Sequence, residues 1–543
     1  MPSIERAVAA LCLGMMLSAA DRGQAATAPG QAGAHAPVAV LVAGQAPCRA
    51  LMERSVEAAL AGDSEEAALG LVAATHLCPN AAAPWRELAG LRFSESRWME
   101  ARDLALSAVR LEPRDVGAWQ ILAASRFELG DVMGALDAWN RSGEPRIDTT
   151  DIHGADRTRQ PVVVRAAGLQ PGQVLTSEAF GRALRRLRDV PVVSSARVTY
   201  EPVDGGLAKL DVFIDERKVA PTGWRTLAIM GARALLVHDM RVDVAGLLGE
   251  GEVASAAWRW SSGRPRVSLG LALPSPQGLP GIVSVDGSWE RQSYDATPAS
   301  GALTLVREER LRVGLQLADW STSWFRWQSG AALDHLREYG DSDETRPDTR
   351  DYLSVDGTLD ARLAAGHLAL AASASWWTPL STGNRFGAGR LLAAWRTTGD
   401  GGTPSWSAMT EISVASHAAP LALWQGAGTG QGRSGLLRAH PLLDDGVLTG
   451  PVFGRGVANA SIEYARPVIR KRMGSLAVAG FVDAAQAWHR ANGLGASLLY
   501  VDAGVGVRVN GPGPGGTIRL DIAHGLRGGG TTLSASWGGS GRR

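Results

Sequence analysis

The side chains with intrinsic reactivity are few: three cysteines and ten histidines in 543 residues. Cys12 lies inside an apolar run, which leaves Cys48 and Cys78 either to join each other as a disulfide or to pack separately as small buried thiols. No G-x-S-x-G, H-E-x-x-H or phosphate-cradling P-loop motif occurs, no cysteines have metal-ligand spacing, and the histidines are scattered. A nucleophile with its base, a metal centre or a bound cofactor is therefore not expected, and the chain reads as a non-enzyme. Guanidinium and carboxylate groups remain, and their chemistry is pairing through forked hydrogen bonds.

The elements that would position such pairs are signalled by composition. Lys and Arg number 55 against 54 Asp and Glu, so there is no basic field for nucleic acid and no acidic tail. Gly is abundant at 66, and 18 of the 32 aromatic residues are Trp, a combination that suits β-structure at a membrane interface. Residues 7–20, AVAALCLGMMLSAA, form an apolar run too short to span a bilayer, and Ala26-Thr27-Ala28 offers an A-x-A cleavage pattern. We therefore expect a signal peptide over 1–28, a linker over 29–44, and export from the cytoplasm. No later stretch has eighteen consecutive apolar residues. The mature chain is thus expected to be soluble outside the cytoplasm or to cross a membrane with strands.

Residues 45–145 carry a 34-residue period. Pro79, Trp85, Leu88, Ala89 and Phe93 recur as Pro113, Trp119, Leu122, Ala123 and Phe127, and Ala67, Ala101 and Ala135 continue the register with Gly62, Ser96 and Gly130 at the turns. This pattern resembles the tetratricopeptide (TPR) repeat, which implies paired helices around a shared core and a groove suited to a periplasmic protein or peptide. The two cysteines fall at the start and end of the first helical pair.

Residues 146–219 read as strand, helix, helix, strand, strand. Ser177 is the expected cap of the second helix, whose apolar positions are Phe180, Leu184 and Leu187, and whose Arg182, Arg185, Arg186 and Arg188 read as a solvated face. With LRRLRDVPVVSSARVTYEP and LDVFIDER, this order resembles a polypeptide-transport-associated (POTRA) domain, in which an exposed strand edge can receive an extended client segment.

From 220 to 543 the period is two. Leu311, Val313, Leu315 and Leu317 alternate with Arg312, Gly314, Gln316 and Ala318, and EVASAAWRW, RVSLGLALP, AVAGFVDAAQAW and TIRLDIAHGL alternate likewise. Fourteen Trp lie at or after Trp224, among them Trp258, Trp260, Trp289, Trp320, Trp324, Trp376, Trp377 and Trp537, as aromatic girdles would place them. The expectation is a transmembrane antiparallel β-barrel of about sixteen strands. The whole fold class is then multidomain: all-α repeats, a small α+β domain and the barrel.

Within the barrel, GRSGLLRAHPLL (432–443), ASIEYARPV (460–468) and GFVDAAQAW (480–488) resemble the loop motif and two strand motifs of the BamA, TamA and two-partner-secretion (TpsB) translocator superfamily, also called the bacterial surface antigen type. The resemblance places Arg438 at the loop arginine and Glu463 and Asp483 at the acidic strand positions, with Ala439, His440 and Ala485 departing from the usual glycine, aromatic and glycine. It implies that Arg438 forks to two carboxylates and holds the loop inside the lumen. YVDAGVGVR (500–508) and GTIRLDIAHGL (516–526) extend the likeness. What it implies for function is insertion or translocation of a client polypeptide at the bacterial outer membrane, in contact with its lipid, with the N-terminal domains in the periplasm. The alternatives are a TPR-linked polysaccharide-export barrel and a scaffold that moves no cargo.

Overall fold

A computed structural model of the chain describes residues 46–220, five positions between 224 and 235, and residues 238–538 apart from 262, 275–278, 280, 297–303, 341–346, 398–402, 429–436, 472–473, 491–497 and 511–516. The expected signal peptide and linker lie outside the described residues. The chain divides into two compact units, residues 1–121 and 122–543.

The first unit is helical. It comprises α1 (Ala46–Leu60), α2 (Ser64–Leu77), α3 (Ala82–Ser94), α4 (Trp98–Leu111) and the first part of α5 (Val116–Glu128). Ala67, Ala89 and Ala101 have no exposed surface, and Leu71, Leu88 and Leu91 pack among them, so small side chains let neighbouring helices approach closely. The 34-residue period is also a period of local geometry. The indole of Trp85 donates to the Pro79 carbonyl at 3.2 Å, and that of Trp119 donates to the Pro113 carbonyl at 2.9 Å. The helix-pair turn takes positive φ at Gly62 (91°), Ser96 (60°) and Gly130 (79°). A left-handed turn favours glycine, and Ser96 meets it as the costlier exception.

Cys48 on α1 and Cys78 just beyond α2 form a disulfide with their Cα atoms 6.3 Å apart. Closing a loop across a sequence separation of 30 contributes about 3.5 kcal/mol on the chain-entropy account. Neither thiol should label in protein taken from an oxidising compartment without reductant, and Cys48→Ser should destabilise the helical unit by ~2–4 kcal/mol in thermal unfolding. A thiol that labels freely would contradict the pairing.

The second unit begins with the end of α5 and α6 (Val132–Trp139), followed by β1 (Arg146–His153), α7 (Gln160–Ala167), α8 (Ser177–Asp189), β2 (Val193–Val203) and β3 (Leu207–Glu216). The three strands pair in the order β1-β3-β2, with β1 parallel and β2 antiparallel to β3. Alternate residues of β2, Ala196, Val198 and Tyr200, meet the apolar stripe Phe180, Ala183 and Leu187 of α8. The cap of α8 is Thr176, whose hydroxyl accepts from the Ala179 N–H at 3.0 Å, one residue before the expected Ser177. Tyr200 gathers Phe127, Trp139 and Phe180 and donates to the Val132 carbonyl at 3.0 Å, which fastens α6 to the sheet.

At the end of β3, Glu216 accepts from Arg157 Nε and the Thr158 N–H, both at 2.9 Å. Burial raises its pKa, but the hydrogen bonds from Thr158 and Arg157 outweigh that and hold the carboxyl below its ordinary value. A depressed folded pKa gives a contribution that is complete above the unfolded value of ~4.3 and lost as pH falls through the folded value. Protection of the β3 amides, corrected for the intrinsic pH dependence of exchange, should therefore fall on acidification below that range, and Glu216→Gln should remove the dependence. An unchanged pH profile in the variant would contradict this.

The barrel starts with β4 (Asp239–Ala245), β5 (Val253–Arg259), β6 (Arg266–Pro274), β7 (Ile282–Ala296), β8 (Thr304–Trp320) and β9 (Phe325–Tyr339). It continues with β10 (Asp348–Leu363), β11 (Leu368–Pro379), β12 (Phe386–Arg396) and β13 (Ser405–Ala415). Three two-residue strands follow, β14 (Gln425–Gly426), β15 (Leu443–Asp444) and β16 (Val447–Leu448). The last five are β17 (Phe453–Lys471), β18 (Gly474–Arg490), β19 (Leu499–Asn510), β20 (Thr517–Gly525) and β21 (Thr531–Gly538). The sheet closes into a barrel in which β13 pairs directly with β17. Among the described residues fifteen of the barrel strands are seven residues or longer. Successive members of that set pair antiparallel, so an odd number makes β4 and β21 run in the same direction.

The barrel is inside out relative to a soluble protein. On β8, Leu311, Val313 and Leu315 are about half exposed while Gly314 between them is buried, and Ile518, Leu520 and Ile522 face outward on β20 while Asp521 and Ala523 are buried. An outer wall of exposed aliphatic rows suits hydrocarbon, and closure leaves no unpaired strand edge in it. Asp334, with no exposed side-chain surface, sits on the inner wall under Arg310, Arg312, Ser354 and Trp377 at 2.7–3.0 Å. The Trp residues divide accordingly. Trp258, Trp324, Trp376, Trp395 and Trp406 are exposed, whereas Trp320 and Trp377, read from sequence as girdle residues, are buried with their indole N–H groups on Asp189 and Asp334. Their carboxylate partners explain the difference, because an indole donor inside a polar lumen can be satisfied there.

Three of the four arginines of α8 are not a solvated face, contrary to the sequence expectation, while Arg188 is exposed. Arg186 forks onto Asp319 at the end of β8, and Arg182 and Arg185 donate to the Ser321 and Ser323 carbonyls in the β8–β9 turn at 3.2 Å each. From the same helix, Glu178 accepts from Ser323 N and Oγ at 2.6 and 2.7 Å, and Asp189 pairs with Arg326 at 3.0 Å. Gly181 permits this approach, since a Cβ there would lie 2.8 Å from that of Ser323. These contacts mark one end of the barrel, the module end. Strand parity puts the segment between β13 and β17 at the far end.

Candidate functional site in the barrel lumen

Between β13 and β17, the described residues 416–428 and 437–452 turn into the lumen. The first limb is held by Glu308 of β8, whose carboxylate accepts from the Leu421 and Ala422 N–H groups at 3.0 and 2.6 Å. The returning limb pairs β16 in parallel with β7, and Gln292 donates to the Gly446 carbonyl at 3.0 Å. Between these limbs, and after the undescribed residues 429–436, Leu437 to Leu442 reach the wall formed by β17 to β20.

That wall presents four carboxylates on four successive strands: Glu463 on β17, Asp483 on β18, Asp502 on β19 and Asp521 on β20. All are at least nine-tenths buried. Period-two alternation aims each side chain inward, and register sets Asp483 directly opposite Asp502. Such a row of like charges demands cations.

Arg438 supplies one. Its Nη2 lies 3.1 Å from Glu463 Oε2, Nε 3.2 Å from Asp483 Oδ2 and Nη1 3.3 Å from Asp521 Oδ2, and its guanidinium stands 3.6 Å over the ring centre of Phe481. A planar fork can address three directions at once while its face lies on an aromatic ring, which an ammonium cannot do. Arg508 of β19 braces the group from the wall, donating to Glu463 at 2.7 and 2.8 Å and to Asp521. Ser461 holds the other oxygen of Asp483 at 2.6 Å.

A second anchor lies two residues on. Asp502 accepts from the Ala439 N–H at 2.6 Å and contacts His440 Nδ1 at 2.7 Å, while His440 Nε2 is 3.0 Å from the Arg527 carbonyl. A carbonyl only accepts, so the contact to Arg527 requires a hydrogen on Nε2. The ring of His440 also packs edge-on against Tyr500 at 5.0 Å. Ala485 is buried beneath Leu437. No group of carboxylates, histidines and cysteines among the described residues is arranged to hold a metal ion.

The three residues singled out from sequence, Arg438, Glu463 and Asp483, are thus brought into one contact group, and Asp502, Asp521, Arg508 and His440 complete it. The added residues lie in YVDAGVGVR, TIRLDIAHGL and RAH; alternation along each strand marks Asp502, Arg508 and Asp521 as candidates for one face of their strands, and no sequence signal marks His440.

The chain is similar in structure to CdiB from Escherichia coli, which superposes with a TM-score of 0.51 over 76% of this chain and 83% of that one at 12% identity. The chain has the CdiB barrel fold. CdiB from Acinetobacter baumannii matches at 9% identity over 80% of this chain and 85% of that one (TM-score 0.48). BamA from Haemophilus ducreyi lacking POTRA domains 1-3 matches at 12% over 72% and 84% (TM-score 0.45). Neither a protein-family model nor a curated protein matches the sequence. In this CdiB-like barrel, likeness at such low identity is a likeness of fold, and the residue roles above rest on the contacts themselves.

Proposed function

We propose that the chain is an outer-membrane barrel that inserts or translocates a client polypeptide, with residues 45–145 acting as TPR repeats, 146–219 as a POTRA domain and 220–543 as the barrel. The observation that carries this reading is the loop held across the lumen by Arg438. A barrel built only as an anchor has no need of a buried, charge-locked strap between opposite walls, whereas a translocator needs a plug that can leave. The aliphatic outer wall supports a barrel seated in the lipid of the bacterial outer membrane, and on this reading export leaves the helical repeats and the α+β module in the periplasm. There β1 and β2 are the sheet edges, either of which offers main-chain donors and acceptors to an extended segment. The helical groove docks a client or a periplasmic partner. No covalent step and no cofactor is involved.

The test is a comparison of surface and secreted proteins in strains with and without the chain. Selective loss of one or a few polypeptides, restored by complementation, is expected. An unchanged protein profile accompanied by loss of a surface polysaccharide would replace this reading with glycan export.

A further inference from the structure

The far half of the lumen contains a cavity of about 420 Å³ that the loop lock does not use. Arg259, Arg264, Arg266 and Arg310 line it from the β5 to β8 wall, and Arg390 lines it from β12 opposite. Two of these charges are already answered, Arg310 by Asp334 at 2.7 Å and Arg390 by Glu411 at 2.8 Å. Arg266 has only a loose contact with Glu290 at 3.9 Å. Arg259 uses Nε on the Arg264 carbonyl at 2.9 Å, which leaves its two terminal nitrogens. Among the described residues no carboxylate lies within ion-pair distance of Arg259 or Arg264. Both are half-buried, and in the β5–β6 turn burial and the like charge of Arg259 bring the pKa of Arg264 down to about 10. Asp239, and for Arg259 also Glu290, answers these charges only at longer range, so the adjacent guanidinium groups still repel each other in a partly dehydrated site, and a bound anion relieves both charges at once.

We infer that this cavity is a binding site for a phosphate-bearing sugar, held by Arg259 and Arg264 through forked hydrogen bonds. Phosphate has enough free oxygens to accept from both forks. Ser373, Ser375 and Ser413 supply neutral hydroxyls for the rest of the ligand. The volume exceeds what a lone phosphate ion needs and lies at the lower end of ordinary ligand pockets, ~300–1,000 Å³. The same headgroup chemistry is available from a free sugar phosphate or from a phosphorylated glycolipid. The site lies apart from the Arg438 lock and the sheet edges, although the first limb of the lumen loop lines it through Ala422 and Leu423.

Calorimetric titration of the full chain in neutral detergent with glucose 1-phosphate tests it. Saturable binding in the millimolar range or tighter is expected, weakening as salt rises, with no binding of neutral glucose. Arg259→Gln with Arg264→Gln should weaken it at least ~tenfold while the barrel remains heat-modifiable on a gel. If the double variant loses that folded band, Arg264→Gln alone, in a turn, takes its place and should also weaken binding. Lipid A micelles that displace glucose 1-phosphate identify the glycolipid source; failure to displace it, with binding otherwise as expected, identifies the soluble one. Absence of binding to the unmodified chain, equal binding of glucose, or undiminished affinity in a folded variant would overturn the site.

Discussion

Arg438→Ala is expected to release the loop without unfolding the barrel. The substitution removes the contacts at 3.1–3.3 Å to Glu463, Asp483 and Asp521 and leaves the wall carboxylates to Arg508 and the half-exposed Arg519. Removing one partner of a buried charge network costs ~3–5 kcal/mol, which lowers the docked fraction of the loop by a factor of about 10² or more. Strands β17 to β20 stay joined by their backbone ladders, so heat-modifiable migration should persist. Single-channel conductance should rise and fluctuate, and export of the client should fall. Arg438→Lys should resemble the alanine variant more than the parent, because an ammonium cannot fork to three carboxylates and stack on Phe481. Unchanged conductance and unchanged export in Arg438→Ala would remove the lock from the account.

Asp319→Ala is expected to free the α+β module from the barrel. It leaves the Arg186 guanidinium, now four-fifths buried, without its forked partner, at a cost of ~3–5 kcal/mol. The neighbouring contacts of Glu178, Arg182, Arg185 and Asp189 converge on the same short turn and depend on the same approach. Gly181→Val should reach the same state by a different route, since its first side-chain carbon would lie too close to Ser323. Spin labels on β2 and on the far-end β9–β10 turn should report one narrow distance in the parent and a broad distribution in either variant. A narrow distribution in both variants would show that the clamp does not hold the module.

The fold was legible wherever one period governed a long segment. Period two over Leu311 to Ala318 tells which side chains face outward, and the 34-residue recurrence of Pro and Trp is repeated in the indole-to-carbonyl bonds of Trp85 and Trp119. Arg438, Glu463 and Asp483 could be singled out because each sits in a motif. The rest of the site was hidden for two physical reasons. Asp502 and Asp521 become partners only through register across β18, β19 and β20, which parity along a single strand does not supply. His440 reads as a departure from the loop motif until Asp502 is seen beside it. Helix α8 misled differently: four arginines at helical spacing look solvated in sequence, and only the position of the β8–β9 turn shows that Arg182, Arg185 and Arg186 grip it. Trp320 and Trp377 make the same point, because an indole is equally at home at a lipid interface or over a buried carboxylate.

The most direct measurement is photo-crosslinking in living cells, with a benzophenone amino acid placed at Thr199 on the β2 edge and, separately, at Ser373 on the lumen wall. Transport of a polypeptide predicts adducts from both positions that contain the same protein, with the lumen adduct lost when the client is absent. Adducts only with lipid or glycan, or a protein adduct at β2 with none in the lumen under conditions of active export, would contradict passage of a polypeptide through this barrel.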